Sequence, residues 1–128
     1  MSAAESGFRP PSWAADYDKH HPRYSEKWDD VVRATAGKEG VACYHSSLRL
    51  ADIERMEIDT VTEDLSLGRE IESKRRSNRR VYWRHMNQII GASRGQETEY
   101  IYVEYHSTGA VHGRPMTASE LKSKGARL

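Results

Sequence analysis

Apolar side chains first follow a helical pattern near Trp28. Trp28, Val31 and Val32 are spaced by three and four residues, as on one face of a helix. Gly37 stands where a helix commonly ends, because glycine adopts the left-handed conformation of a C-terminal cap without strain. The pattern predicts a helix over about 26–36.

The second half of the chain has the composition of β-strands. Residues 81–90 and 98–106 are rich in β-branched and aromatic side chains. The segment between them contains two glycines, which predicts a hairpin loop of more than the minimal length. A turn signal at 107–110 predicts a third short strand around Val111, so the three strands form a C-terminal meander whose register the loop leaves open.

The last residues carry the signals that begin a helix. Thr117 and Glu120 have the spacing of a capping box, and Met116 can pack onto Leu121 across the first turn. A helix is therefore predicted over about 118–124.

The middle of the chain is less regular. Residues 40–48 read as a strand behind a glycine, and 51–62 fits either a helix or a strand, with 55–61 favouring a strand. Capping-box spacing then predicts a charged helix over about 63–78. The whole order is typical of an α+β fold with a mostly antiparallel sheet.

Length and the N-terminal residues indicate how the chain is organised. A chain of 128 residues is expected to form a single domain. Residues 1–12 contain two adjacent prolines and one large apolar group, Phe8. They are interpreted as a flexible arm, which leaves 13–128 as the α+β domain.

Charge and cysteine content narrow the expected surroundings of the protein. The formal net charge is +1, so any attraction to an anionic partner must come from a local patch. The single cysteine, Cys43, permits no internal disulfide and favours a reducing compartment. The first residues lack a secretory signal, and no apolar run approaches the length of a membrane span. A cytoplasmic location without a membrane partner is expected.

The tripeptide Tyr-His-Ser occurs twice, around His45 and around His106. Strand alternation places Tyr102, Glu104 and His106 on one face. Two imidazoles can act as general base and general acid across a phosphodiester. His45 and His106, supported by Glu104 and Tyr102, are therefore the candidate catalytic residues of a metal-independent phosphodiesterase or small ribonuclease.

Each of these histidines has a hydroxyl residue two positions later, Ser47 or Thr108. This pair of motifs is similar to that of the two-histidine phosphoesterases, which cleave 2′,5′ or 2′,3′-cyclic phosphodiesters. The resemblance covers two tetrapeptides and implies that each hydroxyl holds a phosphate oxygen beside its histidine. Gly109 departs from the apolar residue that such motifs place beside the hydroxyl.

A run of cations, KRRSNRR, occupies residues 74–80, and Arg84 follows it. Spacing of four residues from Glu70 and Glu72 can neutralise two of these cations on a helix. The remaining arginines stand at the entrance to an aromatic strand, where guanidinium groups can fork phosphates and rings can stack on bases. The predicted binding surface consists of Arg76, Arg79, Arg80, Tyr82, Trp83, Arg84 and Arg94.

Three classes of function remain open. The favoured one is a small soluble binding module for an anionic partner, either nucleic acid or a nucleotide phosphate. The phosphodiesterase is the alternative, and a structural or assembly protein with a protein partner is the third, so whether the chain is an enzyme stays open. No cofactor or metal is expected, because the Asp and His residues of 16–21 lack a second ligand cluster and are interpreted as a solvated turn.

Overall fold

A mixed five-stranded sheet and a smaller antiparallel sheet organise the chain. The computed structural model describes residues 7–37 and 41–128, and within them the fold is α+β, with three helices and eight strands. The elements are β1 (Ser12–Trp13), α1 (Trp28–Ala34), β2 (Cys43–Tyr44), α2 (Leu50–Val61), β3 (Arg69–Glu70), β4 (Arg79–His85), β5 (Gly91–Ser93), β6 (Gln96–Thr98), β7 (Tyr100–His106), β8 (Ala110–Pro115) and α3 (Ala118–Ser123).

The larger sheet has the order β1-β8-β7-β4-β3. Strands β4, β7 and β8 pair antiparallel, which confirms the predicted meander, while β1 joins β8 in parallel. The register of β4 and β7 runs from Arg79 opposite His106 to His85 opposite Tyr100. This register decides which polar side chains meet on the sheet.

The smaller sheet, of order β2-β5-β6, interrupts the meander between β4 and β7. Strands β5 and β6 form a hairpin whose turn residues, Arg94 and Gly95, both have positive φ angles of 55° and 77°. Two left-handed residues give the turn type that matches the twist of paired strands. The predicted hairpin loop is thus itself a small sheet.

The two faces of the larger sheet are covered by different helices. On one face α2 buries Ile53 and Met56 against a cluster that includes Ile101 and Val103. On the other face α3 buries Leu121 in a second cluster. Since α3 spans only six residues, part of this second face stays open. None of the helices among residues 7–37 and 41–128 is long and apolar enough to cross a membrane.

Two of the three predicted helices are confirmed. The helix predicted over 26–36 is observed as α1, and the one over 118–124 as α3, whose capping box joins Thr117 and Glu120 in both directions. The predicted strand over 40–48 is limited to Cys43–Tyr44, and residue 40 lies outside the described residues.

The predictions for 55–61 and 63–78 are wrong. Residues 55–61 belong to α2, and 63–78 contains β3 between short 3-10 turns at Glu63–Leu65 and Glu72–Lys74. The burial of Glu57 and Thr60 obscured the helical period of α2, because neither residue is expected inside. Strand β3 forms through pairing with β4, a long-range contact that local charge spacing does not show.

The N-terminal segment is joined to the larger sheet. Residues 1–6 of the predicted arm lie outside the described residues. From Phe8 onward the chain packs on the core: Phe8 is 4% exposed, and its ring meets Tyr105 edge-on at 5.2 Å between ring centres. The packed part of the domain therefore starts at Phe8 rather than at residue 13.

Candidate active site

A cavity of about 270 Å³ lies on the open part of the sheet face that carries α3. Strands β4, β7 and β8 form its floor, and a loop after β1 forms one side. Four cations and two tyrosines stand in its wall: Lys74, Arg79, Arg114, Lys124, Tyr17 and Tyr102. We call it the polar cavity.

Strand pairing brings an acid and two histidines together at the edge of the polar cavity, which Glu104 and His112 line and beside which His106 contacts His112. Glu104 on β7 is directly opposite His112 on β8, and His106 is opposite Arg79 on β4. Alternation turns all four side chains to the same face. Arg79 Nη1 donates to Glu104 Oε1 at 3.0 Å, which fixes the carboxylate.

The imidazoles of His106 and His112 are in hydrogen-bond contact. Their Nε2 atoms lie 3.3 Å apart, the rings are inclined by 20°, and Glu104 Oε2 is 3.8 Å from His112 Nε2. A hydrogen bond between two ring nitrogens requires one N–H and one lone pair. The pair can therefore offer a proton and a proton acceptor side by side.

Burial favours the neutral form of His112. Its pKa is lowered chiefly by desolvation, with further lowering from His106 and Arg114, and Glu104 opposes this shift. At neutral pH His112 therefore carries a lone pair, which suits it to accept the hydrogen bond from His106. In this geometry His112 can accept a proton and His106 can donate one.

His20 and Tyr102 are further titratable groups in the wall. Burial lowers the pKa of His20 to about 4, and its Nδ1 donates to the Ala42 carbonyl at 2.7 Å. Its placement in a solvated turn is thus wrong for this residue, which is only 2% exposed. Burial and the Glu104 charge raise the pKa of Tyr102, so its phenol keeps its proton.

The same three groups have a metal-ligand arrangement. Glu104, His106 and His112 each offer one ligand atom, and these atoms lie within 4.8 Å of one another. Two imidazoles and a carboxylate suit zinc and related ions. Arg79 competes with such an ion, since its guanidinium already pairs with the carboxylate.

His45 lies apart from this group. Its Nδ1 is 2.8 Å from Ser47 Oγ, and its ring is 4.3 Å from that of Trp28. The ring of His106 instead contacts His112. Ser47 Oγ contacts the ring of His45, whereas Thr108 is exposed in the turn between β7 and β8. No contact among the described residues brings His45 and His106 together.

The predicted arginine surface is divided between the faces of the sheet. Arg79 points into the polar cavity, while Arg80 points to the other face, where its guanidinium lies 4.7 Å above the Phe8 ring. Arg80 also donates to the backbone carbonyls of Arg76 and Arg79. Arg76 donates to the carbonyls of Ser73 and Arg75.

The other predicted binding residues are also dispersed. Tyr82 is buried in the core, and Trp83 and Arg84 line a depression beside the C-terminal Leu128. Arg94 lines a different depression together with Lys74 and Lys124. Arg79 and Arg94 are thus the predicted binding residues that lie in or next to the polar cavity.

His112 and Arg114 are the residues that sequence reasoning missed. Both lie on β8, which was predicted only as a short strand around Val111. Their alternation with Val111 and Gly113 was a usable signal, because it places them on one face once the strand is extended to 115. Their proximity to Glu104 needed the register of β7 and β8.

The parts of the polar cavity are suited to the chemistry of an anionic ester. Its cations can hold an anion, its rings can stack on a planar group, and its paired imidazoles can transfer protons. Comparison with models of protein families, with curated proteins and with solved structures gave no match.

Proposed function

We propose that the protein is a metal-independent ribonuclease whose active site is the polar cavity. The observation that carries this proposal is the contact of His106 with His112, whose Nε2 atoms lie 3.3 Å apart. His112 and Glu104 line a cavity walled by four cations. General acid–base catalysis needs a base and an acid that both reach the reacting group of the substrate. The four cations supply the positive charge that binds a phosphodiester anion.

The cationic wall favours a phosphate over a neutral substrate. Within residues 7–37 and 41–128, neither Arg114 nor Lys74 has a carboxylate at salt-bridge distance. The Nε atom of Arg79 is buried with no hydrogen-bond partner in the part of the chain that the structure describes, so Glu104 does not saturate this guanidinium. Such cations stabilise negative charge that develops on phosphate oxygens in the transition state.

RNA is the substrate class that fits catalysis by side chains alone. Its 2′-hydroxyl is an internal nucleophile, so no metal-bound hydroxide is needed. Once the substrate has replaced the hydrogen bond between the two rings, neutral His112 takes the 2′-hydroxyl proton as O2′ attacks phosphorus, and Glu104 stabilises the resulting imidazolium. His106, as the general acid, gives a proton to O5′ as the P–O5′ bond breaks, which leaves a 2′,3′-cyclic phosphate and a 5′-hydroxyl.

Tyr17 provides a surface for a nucleobase. Its ring lies 4.2 Å from the His112 ring, and the residue is 42% exposed. Stacking on an aromatic ring stabilises a single-stranded base by about 1–3 kcal/mol. A base held there stands directly beside the catalytic histidines.

The test is cleavage of a fluorescent RNA oligonucleotide in the presence of a chelator. We expect His106→Ala and His112→Ala each to lower kcat/KM by about 10²–10⁴-fold, the usual contribution of a general acid or base. His45→Ala is the matched control and should retain activity, because His45 lies outside the polar cavity. Loss of all activity in the chelator, or full activity in both cavity variants, contradicts the proposal.

An anion-binding module is the second candidate. Arg114 and Lys74, which line the cavity, would hold a phosphate even if no proton were transferred. This candidate predicts that the parent protein binds single-stranded RNA with an affinity that falls steeply with salt, yet releases no cyclic phosphate product. Product analysis of the same reaction separates the two functions.

A further inference from the structure

We infer that a second phosphate subsite adjoins the polar cavity and that the ligand is a single-stranded RNA segment longer than a dinucleotide. The substrate side of this inference rests on the proposed function. The subsite itself consists of Arg94, Lys74 and Lys124, and it can be tested by binding alone.

The subsite is a depression of about 440 Å³. Lys74 and Lys124 line both this depression and the polar cavity, so the two spaces meet at these lysines. The far wall is the β5–β6 hairpin, where Arg94 of the turn and Gln96 of β6 line the depression. A single-stranded RNA whose reacting phosphate lies beside His106 and His112 can extend past the two lysines. The phosphates of its neighbouring nucleotides then reach Arg94.

The β5–β6 turn holds Arg94 in an unusual backbone conformation. Its φ of 55° is left-handed, a region that a long side chain occupies at a cost and that asparagine or glycine adopts more readily. Gly95 N donates to Thr35 Oγ1 at 2.9 Å, which ties the turn to the end of α1. The exposed guanidinium is thus presented from a fixed turn.

Glu120 is the acidic residue of this depression, and neutral hydrogen-bond donors hold its carboxylate in place. Its Oε1 accepts hydrogen bonds from the backbone N–H of Thr117 and from the Ser93 hydroxyl. The depression is lined by three cations and one acid, so its net formal charge is positive. Cations that follow a backbone in this way are the usual means of binding single strands without sequence preference.

The experiment measures the binding of 2′-O-methyl RNA, which lacks the nucleophile and cannot be cleaved. Fluorescence anisotropy compares an octamer with a dinucleotide that has one phosphate. The variant is Arg94→Asn, because asparagine suits the left-handed turn and removes only the cation. We expect about 3–10-fold weaker octamer binding, a salt slope smaller by about 0.7, and unchanged dinucleotide binding.

Two controls accompany this variant. Arg94→Lys keeps the charge and should restore most of the octamer affinity, and Arg55→Ala removes an exposed cation on α2 and should change nothing. The inference is overturned if Arg94→Asn binds the octamer as the parent does, or loses dinucleotide affinity by the same factor. If Arg94 contributes to binding but RNA is never cleaved, the proposed function fails and the subsite stands.

Discussion

Glu57 is a carboxylic acid buried in the apolar core. It is 2% exposed, and its two oxygens accept hydrogen bonds from Trp13 Nε1 at 3.0 Å and from the Tyr44 hydroxyl at 2.7 Å. Burial raises its pKa from 4.5 to about 7, although these hydrogen bonds oppose the shift. The folded protein thus retains a proton that the unfolded chain releases in the same pH range.

This difference makes stability depend on pH in a definite direction. Because the folded state binds the extra proton, the contribution of Glu57 to the free energy of unfolding falls as pH rises from about 4.5 through about 7. We expect Glu57→Gln to match the parent near pH 4 and to be more stable by up to about 3 kcal/mol at pH 8. Urea unfolding of both proteins at several pH values measures this difference.

The difference in stability between Glu57→Gln and the parent isolates the titration of Glu57. Neutral, buried His20 is present in both proteins, so its own pH dependence cancels in the difference. Glu54→Gln changes an exposed carboxylate on the same helix and should show no such trend. A difference between Glu57→Gln and the parent that stays constant with pH contradicts the raised pKa.

Single residues of the polar cavity were predictable when strand alternation alone placed them. Glu104, His106 and Tyr102 were assigned to one face from the sequence, and the structure places them there. The partner of His106 was expected to be His45 from a repeated tripeptide, whereas the contact is made by His112. Identical short motifs carry no information about distance in the fold.

Helix α3 was predicted from local signals, and these also determine its stability. Thr117 Oγ1 accepts from Glu120 N at 3.1 Å, and Glu120 Oε1 accepts from Thr117 N at 3.1 Å. Thr117→Ala should lower the free energy of unfolding by about 1 kcal/mol, the usual cost of losing an N-cap. Thermal unfolding measures this loss of stability. Ser119→Ala, at an exposed position that keeps the cap, is the control and should leave the melting temperature unchanged.

Elements whose signals are not local were missed. Strand β3 pairs Arg69 and Glu70 with Trp83 and Tyr82, and its sequence alone resembles a charged helix. The hydrophobic periodicity of α2 is weak because Glu57 and Thr60 are buried at positions where apolar residues are expected. The Thr60 hydroxyl donates to the Met56 carbonyl. Capping and hydrophobic spacing thus identified α1 and α3. Elements that form through contacts with distant parts of the chain could not be predicted from the local sequence.

The whole molecule is closed by contact between its first and last strands. Strand β1 pairs with β8, Ser12 opposite Ala110, and Phe8 packs in the same core cluster as Ile53 and Val103. The segment from Phe8 to Trp13 therefore contributes to global stability rather than to a separate arm.

Phe8→Ala should destabilise the whole domain. Removing a buried phenylalanine costs about 3–5 kcal/mol, a large share of the roughly 5–15 kcal/mol that a small domain possesses. We expect a lower urea midpoint with a single transition seen by both fluorescence and circular dichroism. Leu65→Ala, at a side chain that is 48% exposed, is the control. Loss of only the N-terminal contacts, with the main transition unmoved, would show that the segment is dispensable.

The β7–β8 hairpin carries Glu104, His106, His112 and Arg114 within the eleven residues 104–114. Their meeting depends on the count of residues in the turn at 107–109, because one residue more or less would rotate the β8 side chains to the opposite face. Substitutions can therefore tune this chemistry gradually, but a single inserted codon in the turn would abolish it at once while leaving the composition of the hairpin almost intact.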